Sequence, residues 1–329
     1  MTRGHCRADR GRQLAEHGMK QNTDELAQAR AVLGTLTFFS SERPHDIGIS
    51  RLGGLTNLVF KVDCSGDSYV LRLPGKGTSD YIDRNYEAVA AHEAARVNVG
   101  PEVICSDPDS GLMVTQWLRA ATMTPQLFRW TPGAARRAGE VLRRLHDSDA
   151  KFDFKFDLFG MLDEYARVLT SHRAELPQGL PDTLKLANEL RDTLAKQPSR
   201  LVACHCDLLP ENFLDTGTRM YLVDWEFSGM NDPYWDLADA SVECAFTPKE
   251  EQAMLAGYFG GEARPADIGR MVIYKALCDL LWTLWGLIQH ASNNPADDFR
   301  SYANRRFARC QSIISNPDFA LHVLAGMRG

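Results

Sequence analysis

The sequence predicts an α+β fold of two lobes, in which a small antiparallel sheet precedes a larger, mainly helical lobe. Between residues 47 and 118, short runs rich in Val, Ile, Leu and Tyr alternate with Gly-containing turns, as in an antiparallel sheet. Beyond residue 119, Leu, Val and Ala recur at helical spacing between charged residues. We therefore assign residues 23–118 to the first lobe and residues 119–329 to the second. Residues 1–22 are polar, Arg-rich and aperiodic, which predicts a disordered tail.

Individual elements can be placed from capping and turn residues. A helix is predicted to begin at Thr23, a good N-cap residue followed by acids, and another to run from about Asp83 until Gly100 and Pro101 end it. Strands are predicted at residues 49–52, 58–63, 68–73, 103–105 and 112–118. Helices in the second lobe are predicted at residues 132–146, 158–175 and 181–196.

The composition excludes several classes of function. Over 329 residues, 44% are hydrophobic and 24% are charged, as in a globular protein with a sizeable core. A net charge of −6, without a dense Lys/Arg stripe, argues against nucleic-acid binding. We find no apolar run of membrane-span length, so no stable membrane insertion is expected. The eight cysteines lack C-x-x-C spacing, which favours reduced thiols and a cytoplasmic location.

The main chemical signal lies in residues 205–212, which we call the catalytic loop. Asp207 and Asn212 have the D-x-x-x-x-N spacing found where phosphoryl groups are transferred, and His205 completes an H-x-D opening. There the Asp receives the proton of the attacking hydroxyl, and the Asn holds a metal ion. Asp224, at the end of a short apolar run, is the second predicted metal ligand, and Glu226 is assigned to the same metal or its waters. Such oxygen donors suit Mg²⁺.

The first lobe carries candidate groups for ATP. Backbone amides at a turn can approach phosphates closely, and the candidates here are Gly53, Gly54, Thr56 and Asn57, although a plain hairpin turn has the same composition. Arg72 interrupts an apolar strand where a phosphate-gripping cation is expected, with Glu87 as its favoured partner and Glu93 as a competing one. The connector between the lobes is the candidate adenine site, and it comprises Gln116, Trp117 and Leu118.

With these residues in place, the chain resembles the choline/ethanolamine kinase family, within the aminoglycoside-phosphotransferase and protein-kinase-like fold. The resemblance spans about residues 47–310 and is most specific in four segments: Tyr69–Gly75, with Arg72 in place of the protein-kinase Lys; Glu87–Pro101; Cys204–Leu214; and Val223–Glu226. It implies a two-lobed enzyme that uses ATP and Mg²⁺ to phosphorylate the hydroxyl of a small amino alcohol. The D-F-G and A-P-E motifs of protein kinases are missing from the sequence, which argues against a protein substrate.

The resemblance also implies an acceptor site. Its residues would surround an ammonium group, and they are Glu243, Trp282, Trp285 and Tyr302. Trp282 and Trp285 lie three residues apart, so on a helix both indoles project from one face, where they form either two walls of a cation cage or a core stripe. The residues after Glu243 lack the aromatics of eukaryotic members and resemble bacterial ones. Asp236 is expected to hydrogen bond to the catalytic-loop backbone.

The favoured function is the phosphorylation of choline to phosphocholine. Ethanolamine, thiamine and aminoglycosides are alternative acceptors, and a catalytically silent protein that binds a nucleotide or choline is an alternative of another class. The sequence leaves the oligomeric state open, a homodimer included.

Overall fold

The computed structural model describes residues 23–40, 46–53, 57–75 and 83–328. The predicted disordered tail, residues 1–22, lies outside this part of the chain, and so do Gly54 and Thr56 of the predicted phosphate-binding turn. The chain divides into two compact units. The first contains the described residues up to Ala88 together with Pro101–Arg119, and the second contains Val89–Gly100 and the described residues from Ala120 onwards.

The first unit is built on an antiparallel sheet, as predicted. Helix α1 spans residues 23–33. The strands, in sheet order β1-β2-β3-β5-β4, are β1 (Gly48–Arg51), β2 (Asn57–Cys64), β3 (Asp67–Pro74), β4 (Val103–Asp107) and β5 (Leu112–Gln116). One face of the sheet packs on α1, where Leu33, Phe60, Leu71 and Val114 are buried in a common core. Alternate strand residues supply this face because successive side chains point to opposite sides of a sheet.

Helix α2 (Arg84–Arg96) follows the first three strands. The carboxylate of Asp83 accepts hydrogen bonds from the N–H groups of Asn85 and Tyr86, so Asp83 caps the helix start as the sequence predicts. Asn98 ends it with a left-handed backbone (φ 60°). The helix presents Glu87 from its first turn.

The second unit is mainly helical. Its helices are α3 (Pro125–Trp130), α4 (Ala134–His146), α5 (Leu158–Ser171), α6 (Leu180–Ala195), α7 (Pro233–Glu243), α8 (Pro248–Phe259), α9 (Pro265–Ala291), α10 (Phe299–Ile314) and α11 (Phe319–Gly326). Short strands carry the loops between them: β6 (Ala121–Thr122), β8 (Phe213–Asp215) and β9 (Met220–Leu222) form one antiparallel sheet, and β7 (Val202–Cys204) pairs with β10 (Gly229–Asn231). The helix predicted at residues 132–146 begins only at Ala134, because Gly133 adopts a left-handed conformation (φ 73°) as its N-cap.

Helix α9 is the core helix of the second unit. Among the described residues it alone has the length and composition to cross a membrane, with a mean hydropathy of 1.5 over its most apolar window, so the expectation that no apolar run would reach that length was wrong. That window is 78% buried, because α5, α7, α10 and α11 pack around it. Burial on most sides explains why apolar residues occur on every face of the helix, with charged residues such as Asp279 among them.

Candidate active site

Helix α7 holds the catalytic loop through hydrogen bonds to the loop backbone. Asp236 accepts hydrogen bonds from the N–H groups of His205 and Cys206, at 2.8 and 2.9 Å. Asp239 lies almost one helical turn further along α7 and accepts from the N–H of Leu208 at 2.6 Å. The loop-bracing role predicted for Asp236 is therefore present, and Asp239 shares it. Two carboxyl groups fix the loop backbone, because a hydrogen bond in a buried site is electrostatically stronger than one in water.

His205 contacts the backbone through both ring nitrogens. Nε2 donates to the carbonyl oxygen of Val223 at 2.9 Å, and Nδ1 accepts from the N–H of Asp207 at 3.4 Å. Burial lowers the pKa of His205, which keeps the ring neutral and suits this division of donor and acceptor. The next residue, Cys206, has a left-handed backbone (φ 67°). This geometry fits a positioning role for His205 and not contact with substrate.

A hairpin brings Asn212 to the segment that carries Asp224. Asn212 precedes β8 and Val223 follows β9, and the register pairs Phe213 with Leu222, so the N–H of Val223 donates to the Asn212 carbonyl at 3.0 Å. The side-chain Nδ2 of Asn212 donates to the backbone oxygen of Asp207 at 2.8 Å. Because the amide nitrogen is engaged there, the amide oxygen is the atom suited to a cation.

Asp207 lies in a concentration of acidic groups. Burial raises its pKa well above the ordinary value, and the charges of Asp239, Glu243, Asp224 and Glu226 raise it further. Three of these four neighbours belong to predicted sets, since Asp224 and Glu226 are metal candidates and Glu243 is an acceptor-site candidate. The negative potential at Asp207 therefore favours positive ligands from both sets of positions.

The metal candidates offer only oxygen donors. They are the amide oxygen of Asn212 and the carboxylates of Asp224 and Glu226, a hard donor set that fits Mg²⁺. Asp224 has a left-handed backbone (φ 70°), which is uncommon outside glycine. Such backbone outliers cluster at functional sites, where the surrounding structure holds them in place.

In the first unit, Arg72 and Glu87 form the predicted ion pair. Glu93, the competing candidate, pairs instead with Arg96 at 2.8 Å. Arg84, which the sequence analysis did not single out, also binds Glu87, at 2.8 Å between Nη1 and Oε2. Burial on its own would raise the pKa of Glu87, but its hydrogen bonds to Arg72 and Arg84 and their charges lower it. One buried carboxylate thus holds two guanidinium groups.

Asn57 belongs to the same group. Its side chain is buried at the start of β2, and its Oδ1 accepts from Nη2 of Arg84 at 3.3 Å. Gly53 is exposed, and a Cβ added to it would meet nothing within 4 Å. Its carbonyl accepts from Nη1 of Arg51 at 2.8 Å, which holds the start of the predicted phosphate-binding turn.

The predicted adenine connector follows β5. Gln116 is exposed, and Trp117 and Leu118 are half-buried. The backbone N–H of Gln116 donates to the carbonyl oxygen of Glu102 at 2.8 Å, and that of Trp117 donates to the carbonyl oxygen of Ser68 at 3.1 Å. Both N–H groups are therefore engaged within the first unit.

The predicted acceptor-site aromatics lie together between α9 and α10. Trp282 and Trp285 have ring centroids 6.0 Å apart and nearly perpendicular planes, and Trp285 stands 5.8 Å from Tyr302 in the same way. Phe227, three residues after Asp224, adds a further ring to this row, with its centroid 5.9 Å from that of Trp282. Gly286 makes the approach possible, because a Cβ there would lie 2.8 Å from the Tyr302 ring. Trp282 is 5% exposed, and its indole N–H has no acceptor among the described residues.

Glu243, the acid of the predicted acceptor site, forms an ion pair with Arg306. Arg306 also donates to Asp279 at 3.2 Å and to the Tyr302 hydroxyl at 3.0 Å. Neither Arg306 nor Asp279 was predicted, because a single sequence does not show which distant charges meet. One signal was available: Tyr302, Arg306 and Arg309 follow at i, i+4 and i+7 and therefore share one face of α10.

A family model for choline/ethanolamine kinases matches residues 49–255, which is more than half of the chain. The chain belongs to the choline/ethanolamine kinase family. A solved structure of a choline/ethanolamine kinase family protein from Mesorhizobium loti is 51% identical to it, with a TM-score of 0.86, and the match covers 93% of this chain and 100% of that one.

Two more distant relatives extend the comparison with this kinase. Protein LicA of Haemophilus influenzae is 28% identical over 80% of this chain and 78% of its own length. A structure of LicA in complex with AMP is 25% identical, with a TM-score of 0.65, and covers 84% of this chain and 96% of that one. Solved structures of aminoglycoside phosphotransferases share the fold of this chain. The predicted protein-kinase-like α+β fold is therefore confirmed. The protein is a small-molecule kinase that binds a nucleotide.

Proposed function

We propose that this kinase transfers the γ-phosphoryl group of ATP to the hydroxyl of a small amino alcohol, with choline as the favoured acceptor and phosphocholine as the product. The observation that carries the proposal is the composition of the acidic surroundings of Asp207. They join the predicted metal ligands, Asp224 and Glu226, to the predicted acceptor-site acid, Glu243. A base that feels the charges of both sets can serve an acceptor hydroxyl whose molecule is held at one of them and whose phosphoryl donor is held at the other.

In the mechanism, Asp207 orients the acceptor hydroxyl for in-line attack and receives its proton. Asn212, Asp224 and Glu226 would hold Mg²⁺, which would supply positive charge to neutralise the transferred phosphoryl group. His205 keeps Asp207 in place through the loop backbone. Most of the rate enhancement in such a reaction comes from positioning and charge neutralisation, since the protein forms no covalent bond to the phosphoryl group.

The first unit would supply the grip on ATP. Arg72 and Arg84, both paired with Glu87, offer positive charge to the phosphates, and Gly53 lets the backbone of its turn approach them. The N–H groups of Gln116 and Trp117 are engaged in the sheet, so the backbone of Leu118 is our candidate for the adenine edge. Trp117 and Leu118 would cover the ring.

The row of perpendicular aromatic rings supports a compact cation as acceptor. Choline has no N–H to donate, so a protein holds its ammonium through ring faces, at about 2 kcal/mol or more per well-desolvated contact. Trp282, Trp285 and Tyr302 offer such rings, and Glu243 adds one carboxylate. A polycationic aminoglycoside would call for a broader acidic surface. ATP is supplied in the cytoplasm, and the seven described cysteines are free thiols, which supports the predicted location.

A coupled ADP-release assay tests the proposal. Purified protein is given Mg²⁺ and ATP with choline, ethanolamine, thiamine or representative aminoglycosides, and with no acceptor as the control. We expect the highest kcat/KM with choline and no turnover without Mg²⁺. A preference for an aminoglycoside or thiamine would contradict the proposed acceptor, and ADP release that no acceptor stimulates would contradict acceptor phosphorylation.

A further inference from the structure

Arg306 is a buried cation inside the proposed acceptor site. Its side chain is 7% exposed and bridges three groups, since it pairs with Glu243, donates to Asp279 and donates to the hydroxyl of Tyr302. Its guanidinium carbon also lies 5.1 Å from the centroid of the Tyr302 ring. Arg306 therefore contacts two of the four residues predicted to surround the acceptor's ammonium group.

This arginine is anchored independently of Glu243. Asp279, which is 0% exposed, accepts from Nη1 of Arg306 at 3.2 Å and from two nitrogens of Arg309 at 2.7 and 2.6 Å. Arg306 and Arg309 lie on one face of α10, and Asp279 lies on α9. A guanidinium held by one buried carboxylate keeps its positive charge in place, and that charge can act on a second carboxylate through an ion pair.

Glu243 has charged neighbours of both signs. The acidic neighbours of Glu243 are Asp239 on its own helix, Asp279 on α9 and Asp207 on the catalytic loop, and the thiol of Cys278 on α9 also faces it. Its positive neighbours are Arg306 and Arg309 on α10. Burial raises the pKa of Glu243, and the positive charges of Arg306 and Arg309 oppose that rise. The opposite holds for Arg306, where burial lowers the pKa and the charge of Glu243 outweighs it, so Arg306 keeps its charge.

An ammonium group that has no N–H to donate is attracted by an ionised carboxylate much more strongly than by a protonated one. A buried glutamate among other acids takes up a proton unless a cation holds it in the charged form. We propose that Arg306 is a positioning residue for acceptor recognition: its positive charge keeps the Glu243 carboxylate ionised, so that this carboxylate and the aromatic rings together select a cationic alcohol over a neutral one. The inference rests on the proposed function, because it assigns a partner to the acceptor site named there.

The test compares choline with its neutral carbon isostere, 3,3-dimethylbutan-1-ol. Dissociation constants for both are measured by tryptophan fluorescence without ATP, and KM values for both are measured by ADP release. For Arg306→Gln at pH 7 we expect the preference for choline over the isostere to fall by about tenfold, equivalent to about 1.4 kcal/mol. Raising the pH should restore part of the preference, because Glu243 then loses its proton without help. Arg306→Lys keeps the positive charge and should retain most of the preference.

The matched control is Arg137→Gln. Arg137, on α4, pairs with the buried Asp215, on β8, at 2.5 Å in the same unit, with side-chain exposures of 12% and 3%. Its loss should lower stability and leave the choline preference unchanged. An equal change in both dissociation constants for Arg306→Gln would show a merely structural role, and a gain in choline preference would show that Arg306 masks Glu243. Either result overturns the proposal.

Two further measurements keep the proposal decidable. If Arg306→Gln does not fold, Glu243→Gln provides the test, since it should lower the choline preference by about tenfold and leave the share due to the aromatic rings, and an unchanged preference would contradict the proposal. The binding measurement separates this inference from the proposed function. Selective binding of choline without phosphoryl transfer would refute the function and leave the role of Arg306 standing. Phosphorylation of choline by Arg306→Gln and Glu243→Gln with an unaltered choline preference would refute the role of Arg306 and leave the function standing.

Discussion

At the scale of single residues, Asp207 shows how local spacing and distant charges combine. Its distance in sequence from Asn212 is a local property, and the loop that joins them closes through a hydrogen bond from Asn212 to the Asp207 carbonyl. Its electrostatic surroundings are not local, because Asp239 and Glu243 come from α7. Bound cationic ligands offset these negative charges, and Asp207 can then act as a base. Loss of its carboxylate should remove the proton acceptor and leave nucleotide binding intact.

We expect Asp207→Asn to lower kcat by about 100- to 10,000-fold, the usual contribution of a general base. The dissociation constant for ATP should change little, because the groups assigned to ATP phosphates lie in the first unit. Glu211→Gln is the matched control, since Glu211 is an exposed acid of the same loop and its replacement should leave kcat within about twofold. Near-normal turnover of Asp207→Asn would contradict the assignment.

At the scale of elements, the acceptor site depends on how closely α9 and α10 approach. Gly286 faces Tyr302 and Ala303, and a Cβ at position 286 would lie 2.8 and 3.2 Å from them. The ring contacts among Trp282, Trp285 and Tyr302 need this short separation. A glycine inside a long helix costs helical stability, so a packing reason of this kind explains its presence.

Gly286→Ala should therefore disturb both packing and acceptor binding. We expect a loss of about 1–3 kcal/mol in the free energy of unfolding, as for other overpacked sites, together with a higher KM for choline and an unchanged KM for ATP. Urea unfolding and the ADP-release assay measure these effects. Gly261→Ala is the control, because a Cβ there meets nothing within 4 Å. An unaltered choline KM in a destabilised Gly286→Ala protein would show that the helix separation does not shape the site.

At the scale of the whole molecule, the two units carry separate sets of groups. The first contains Arg72, Arg84 and Glu87, and the second contains the catalytic loop, the metal candidates and the aromatic row. Each set is built within one unit, from residues that contact one another there. Ligands of the two sets should therefore be separable by mutation.

Thermal unfolding with each ligand tests this separation. A ligand at about 100 times its dissociation constant stabilises the folded protein by about 2.7 kcal/mol. We expect Arg72→Gln to reduce the melting-temperature shift caused by MgATP and to keep the shift caused by choline. Trp282→Ala should do the opposite, with a choline KM that rises far more than the ATP KM. Equal losses of both shifts in either variant would contradict the assignment and indicate a general loss of structure.

The sequence by itself determined the elements of the first unit, three helices of the second unit and the catalytic spacing. Strand alternation, helical periodicity and caps such as Asp83 are properties of a few neighbouring residues, and so is the separation of Asp207 from Asn212. The partner of Arg72 could also be inferred, because Glu87 lies in the first turn of α2, the helix that follows the strand of Arg72. These features share a short range, within which chain geometry leaves few arrangements.

Only the tertiary structure decided which distant charges meet. Arg84 joins Arg72 on Glu87, Asp239 supports the catalytic loop, and Arg306 links Glu243 to Asp279. The sequence also left open that α9 would be buried along most of its apolar length, which follows from the helices that surround it. Such pairings depend on how whole helices pack, and a buried charge is tolerated wherever the fold brings it a partner, so the composition of a segment alone does not reveal them.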